Sequence, residues 1–176
     1  MQFLDRTELR KLFEVAYQHD RRIHLLLVTM FWSGLRINEV LAIRGRDVCN
    51  SELHVKRLKR SRPTVHKLHL DADPVFDTTP LIELAMSNPD ARPFDCSPQW
   101  VNRLLKRYAT EAGIHPAKAH TRSVGKHSIC MLLWQTLKDL NVVQDWVGHV
   151  SASSTLCYLR ADAAAKAQEC VAAMSL

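Results

Sequence analysis

Apolar residues in the first thirty positions recur at helical spacing. Leu9, Leu12, Phe13 and Ala16 share one face of a helix that starts after Asp5, and Asp5 with Glu8 has the form of a capping box. Leu4 and Leu9 bracket that start as a hydrophobic staple. Over 20–32 the polar face disappears: Ile23, Leu25, Leu26, Leu27, Val28, Met30 and Phe31 surround the axis, so this helix is expected to run through the core. Ser33-Gly34 breaks it, and a short helix is expected over 36–43.

From 52 to 70 the period changes. "ELHVKRL" and "TVHKLHL" alternate as strands do, and "KRSRP" between them reads as the turn of a basic β-hairpin, with no second sheet visible. Helical spacing returns at 81–86 and 98–112, the latter carrying Val101, Leu104, Leu105 and Tyr108 and stopped by Gly113. Three helices follow, over 124–138, 142–147 and 152–158. Asn141 is expected to cap the middle one, with Gln144 at its third position, and Gly148 to end it. An alanine-rich stretch begins after Asp162. With no repeat, linker or low-complexity segment, the pattern predicts one domain over 1–176, mainly α with a small antiparallel β-sheet.

Composition narrows the partners. The chain is 47% hydrophobic and 24% charged over 176 residues, enough apolar content for a proper core. Its formal net charge of +6 favours a polyanion, nucleic acid before membrane. Cys49, Cys96, Cys130, Cys157 and Cys170 are odd in number and lack C-x-x-C spacing, which points to reduced thiols rather than a disulfide framework or a zinc site. The longest apolar run, 23–32, is too short to span a bilayer, and "MQFLDRTELRKLF" has no signal-peptide pattern. A cytoplasmic protein is expected. His54, His66 and His69 have no cysteine partners at zinc-like spacing and are expected at the surface or facing DNA.

Two segments carry candidate chemistry. "SGLRINEVLAIRGRDV" (33–48) resembles the first conserved box of the tyrosine recombinases, the phage-integrase family, in which T-G-L-R-x-x-E-L-x-x-L precedes a β-hairpin. "NVVQDWVGHVSASSTLCYL" (141–159) resembles the family's last box, V-Q-x-x-L-G-H-x-x-x-x-T-x-x-Y. The resemblance covers essentially the whole chain as a catalytic domain, without the family's usual N-terminal DNA-clamping (core-binding) domain. It implies the recombinase catalytic-domain fold and a site-specific enzyme that cleaves and rejoins DNA through a 3′-phosphotyrosyl intermediate. Such chemistry uses no metal and no nucleotide.

By that resemblance Tyr158 is the nucleophile, Arg36 a phosphate clamp and His149 a donor to a non-bridging oxygen. Lys59 in the hairpin turn is the general acid, with Lys56 and Arg60 as its alternatives. A free phenol has a pKa of about 10, so the tyrosine must be activated, and guanidinium forks match the phosphoryl oxygens that gain charge. The second box departs from the pattern. In "SVGKHSICMLL" Ser123 and Lys126 stand where the family has His and Arg, and lysine cannot clamp two oxygens in one plane. His120 and Arg122 lie just upstream and would need a rearranged loop to substitute. Arg57, Arg60, Arg62, Arg103, Lys106, Arg107 and Arg122 are expected to touch double-stranded DNA. A homo-oligomer on DNA is expected, with the C-terminal helix (Ala164, Ala167, Val171) as the docking element. The altered box keeps a second reading open: a recombinase-like DNA-binding or accessory protein with weakened or lost cleavage.

Overall fold

The computed structural model describes residues 2–59 and 61–174, without the side chains of 165 and 168–173. Helix α1 (Arg6–His19) starts as its sequence dictates. The Asp5 carboxylate accepts from the Glu8 amide, and the Asp5 amide donates to Glu8 at 3.0 Å. Leu4 and Leu9, on either side of that cap, are both buried. Helix α2 (Arg21–Trp32) is capped by Asp20 and is buried along nearly its whole length, from Ile23 to Phe31. Together α1 and α2 supply much of the core, with Leu12, Phe13, Leu26, Leu27 and Met30 closed to solvent.

The chain leaves α2 through Gly34, whose φ of +59° is cheap only for a residue without a side chain. A Cβ there would lie 2.7 Å from Val147 Cγ1. The short helix expected next is one turn, α3 (Ile37–Val40), followed by a 3-10 turn at Gly45–Asp47.

A three-stranded antiparallel sheet follows in the order β1 (Val48–Cys49), β2 (Glu52–Val55), β3 (Thr64–Lys67). The hairpin register pairs Leu53 with His66 and Val55 with Thr64, so these four side chains face the interior. Strand β1 is the addition to the expected hairpin, and two residues are too few to show alternation.

Helices α4 (Pro80–Ser87) and α5 (Pro98–Glu111) cover the next side of the core, α5 capped by Ser97. The helix expected from residue 124 begins as a π-helical turn at Ser123–His127 and continues as α6 (Ser128–Leu137). Helix α7 (Leu140–Trp146) is capped by Asp139, whose carboxylate accepts from the Asn141 and Val142 amides, rather than by Asn141. Asp139 wins because its acceptor sits just outside the first turn, where the unpaired amides point. Gly148 follows with φ +66°. The expected 152–158 helix and the alanine-rich stretch are one continuous helix, α8 (Ser153–Met174). No helix among the described residues is long and apolar enough to cross a membrane.

Candidate functional site

Five segments distant in sequence converge on one hollow of about 410 Å³. Its lining includes Arg36, Lys59, Lys126, His149 and Tyr158, with His120, Thr121 and Arg122 on one wall. Arg36 is the residue just before α3, delivered there by the turn at Gly34. Its guanidinium donates to Glu39 Oε1 at 2.7 Å and its amide to Glu39 Oε2 at 2.8 Å. That leaves the rest of the fork toward the hollow, the Arg36 side chain being 28% exposed.

Glu39 was legible only as a local partner of Arg36; the fold gives it more work. Its buried carboxylate also accepts from the Leu58 amide at 3.0 Å and from Arg57 at 3.3 Å, joining α3 to the hairpin. Burial pushes this carboxyl up, but the Arg36 and Leu58 amides and the Arg57 guanidinium outweigh it and hold the pKa below the usual value. It therefore stays an anion between two arginines.

Arg57 corrects the expectation of a DNA contact. Its side chain is fully buried. It donates to the carbonyls of Ser33 (2.7 Å) and Gly34 (3.0 Å) and to Thr64 Oγ1 (2.8 Å). The end of α2 leaves carbonyls without helical partners, and this guanidinium satisfies them. His66 corrects likewise: it packs edge-on against Trp146 and lies 3.0 Å from Arg57. Burial, and then the Arg57 charge, push its pKa down to about 3. His54 is exposed and His69 partly so, stacked on Trp32 at 4.1 Å.

Lys59 stands exposed at the hairpin turn with φ +56°, at the rim of the hollow. Lys56 is exposed and Arg60 lies outside the described residues. Arg62 is exposed, 3.7 Å from Asp145, and its amide donates to the Gly148 carbonyl. Arg103, Lys106 and Arg107 are exposed on α5, which Asn102 ties to the hollow by accepting from the Thr121 amide.

The π turn decides what the altered second box contributes. It brings Lys126 into the hollow, while Ser123 is buried and is not among the lining residues. His120 and Arg122 reach the lining without a rearrangement, the Arg122 amide donating to His120 Nδ1 at 3.1 Å. Gly125 permits the turn, since a Cβ there would meet the Leu35 carbonyl oxygen at 2.7 Å and Met30 Cγ at 2.9 Å. Lys126 Nζ is shut from solvent with no hydrogen-bond partner among the described residues. Burial and the Arg36 charge lower its pKa to about 8. A buried ammonium without a partner is costly, and the arrangement suits an incoming anion.

His149 is held by backbone and side chain together. Its amide donates to the Gln144 carbonyl, Gln144 Nε2 donates to its carbonyl, and its Nδ1 lies 3.0 Å from Thr155 Oγ1. Burial, then Lys126 and the two arginines, push its pKa down to about 4, so it is neutral at physiological pH. Thr155 has no role that the sequence reveals, and in the fold its hydroxyl is the group that fixes the imidazole. Tyr158, on the first turns of α8, is 2% exposed and packs edge-on to His127 at 6.1 Å. Burial, and then its contact with the Cys130 thiol, hold the phenol above its ordinary pKa. In this state the tyrosine is protonated and tucked against α6. No group of three or more metal-ligating side chains occurs among the described residues.

A sequence model described as the phage integrase family matches residues 2–165. Tyrosine recombinase XerH of Campylobacter jejuni is 21% identical over 173 residues, covering 92% of this chain and 49% of its own. Tyrosine recombinase XerA of Pyrococcus furiosus is 28% identical, covering 91% of this chain and 57% of its own. The chain thus spans about half the length of these curated relatives. In three dimensions it superposes on XerH site-specific recombinase bound to difH substrate in a pre-cleavage complex. The TM-score is 0.70 at 21% identity, over 94% of this chain and 52% of that one.

Proposed function

The chain belongs to the phage integrase family, and from that premise we propose that it is a site-specific recombinase that breaks and rejoins DNA through Tyr158. The observation that carries this reading is the Lys126 ammonium, buried without a partner among the described residues in the hollow that also holds Arg36, His149 and Tyr158. That constellation fits a phosphodiester. Arg36 offers free donors of its fork to non-bridging oxygens, and Lys126 adds a second positive charge beneath them. Neutral His149, in the tautomer whose Nδ1 accepts from the Thr155 hydroxyl, would present Nε2–H to another oxygen. Preorganised donors of this kind are each worth about 10² to 10³ in rate.

Tyr158 oxygen attacks phosphorus, and the 5′-oxygen leaves with a proton from a cation at the hollow, for which Lys59 is the sequence's candidate. The phenol's burial against Cys130 marks a resting position, so DNA binding has to turn the ring outward from the first turn of α8. Arg62, Arg103, Lys106, Arg107 and Arg122 are read as duplex contacts outside the hollow or at its rim, and Arg60 as another on the hairpin. The partner is double-stranded DNA in the cytoplasm. The working form is a homo-oligomer on that DNA, with α8 beyond Tyr158 as the docking element; Ala164 and Ala167 are exposed there, and the side chain of Val171 is outside the described residues.

The test is capture of the covalent intermediate. Protein incubated with a library of nicked duplexes and quenched in detergent should yield DNA-linked protein, and sequencing the linked DNA reads out the site. Tyr158→Phe should abolish the adduct while leaving salt-sensitive binding intact. Binding without any adduct from the unaltered chain would instead establish the accessory-protein reading.

A further inference from the structure

We propose that Lys126 itself, rather than a lysine of the hairpin turn, gives the leaving 5′-oxygen its proton. This assignment rests on the strand-cleavage reading above and names the acid within that site. Three observations of geometry support it. Lys126 Nζ is enclosed and has no hydrogen-bond partner among the described residues, so its proton is committed to no acceptor among them. It lines the same hollow as Tyr158 and Arg36, in a π turn whose backbone is wedged against Leu35 and Met30 at Gly125. Lys59, by contrast, sits exposed at the rim on a turn residue in the left-handed region, with no hydrogen bond or ion pair of its side chain among the described residues.

The electrostatics agree. Burial is the main influence on Lys126; of the charged groups around it, Arg36 and Arg57 disfavour its charge, Cys130 and Glu39 favour it, and His149 and His127 also face it. Together with burial they bring the ammonium to a pKa of about 8, close to the range in which a group both holds and releases a proton. An arginine in this position would hold its proton far too tightly to act so.

The step balances within the site. The Tyr158 phenol loses its proton to water at the mouth of the hollow, and its oxygen forms the bond to phosphorus. The bond from phosphorus to the 5′-oxygen breaks, that oxygen takes the electron pair, and it receives the proton from Lys126, which becomes a neutral amine. On rejoining, the amine takes the proton back from the attacking 5′-hydroxyl.

Replacing the leaving oxygen by sulfur tests this, because a thiolate leaves without being protonated whereas an alkoxide does not. The substrate is a nicked duplex carrying the site recovered from the adducts, made with either a 5′-bridging oxygen or a 5′-bridging sulfur. On the oxygen substrate Lys126→Ala and the closer-fitting Lys126→Met should form adduct about 10² to 10⁴ times more slowly. On the sulfur substrate both should recover most of that loss. Lys126→Arg, which keeps the charge, should be slow on oxygen and restored on sulfur. Lys59→Ala should lose the same factor on both substrates, as a phosphate contact would. Rescue by sulfur at Lys59 but not at Lys126 overturns the assignment. So does a Lys126→Arg protein that cleaves the oxygen substrate faster than the parent chain, since Lys126 would then be only a weaker clamp. Absence of adduct from the parent protein on either substrate overturns the cleavage reading, and this assignment falls with it.

Discussion

Glu39 and Arg57 show how far a single residue's meaning depends on its neighbours. Both belong to stretches whose character is obvious in sequence, an Arg-x-x-Glu pair and a basic turn. In the fold they form one buried ion pair that ties the end of α2, α3 and the hairpin together. Charge density placed Arg57 at the surface; the unpaired carbonyls at the end of α2, invisible in sequence, draw it inside. Removing either partner leaves the other buried and uncompensated. Glu39→Ala is therefore expected to destabilise the chain by about 3–5 kcal/mol, read from urea unfolding. It should also lower adduct formation, because Arg36 loses its brace. Glu39→Gln keeps the shape but turns one acceptor oxygen into an NH2 donor that faces other donors, so it should also be destabilising.

Elements were legible where their period was long and undisturbed. The cap of α1, the buried run of α2 and the stop at Gly148 all follow from local rules. The π turn at Ser123–His127 does not, since one inserted residue within a helix leaves no mark on a hydrophobic pattern. Gly125 was the available signal: a glycine inside a helical stretch indicates close backbone approach. Gly125→Ala forces the turn from Leu35 and Met30 and should cost about 1–3 kcal/mol. Its larger effect should be on cleavage, because Lys126 moves with the turn.

The hairpin carries a pH dependence of its own. His66 has its pKa lowered from 6.5 to about 3 in the folded chain, first by burial and then by Arg57. The folded state therefore binds this proton less readily than the unfolded one. The associated stability is full above pH 6.5 and is lost progressively as pH falls toward 3. Thermal midpoints should drop between pH 7 and pH 5, and His66→Asn should flatten that drop, although it lowers the midpoint at pH 7.

At the scale of the whole molecule, a net charge of +6 predicts duplex binding that weakens steeply with salt. Arg122→Ala, at the wall of the hollow, should reduce the slope of log affinity against log salt by about 1. Arg57→Lys should leave the slope unchanged and lower stability instead, since that cation already serves the protein's own carbonyls.

The sequence by itself determined the helical skeleton, the basic hairpin and the choice of Arg36, His149 and Tyr158 as candidates for one site, because periodicity, caps and motif spacing are local properties of the chain. Tertiary structure alone decided that Arg57 holds the fold while Arg62, Arg103, Lys106 and Arg107 stay exposed, that His120 and Arg122 line the hollow and Ser123 does not, and that Lys126 Nζ is left without a partner among the described residues. Those outcomes depend on which polar groups other elements leave unsatisfied, and that is settled only when the elements pack.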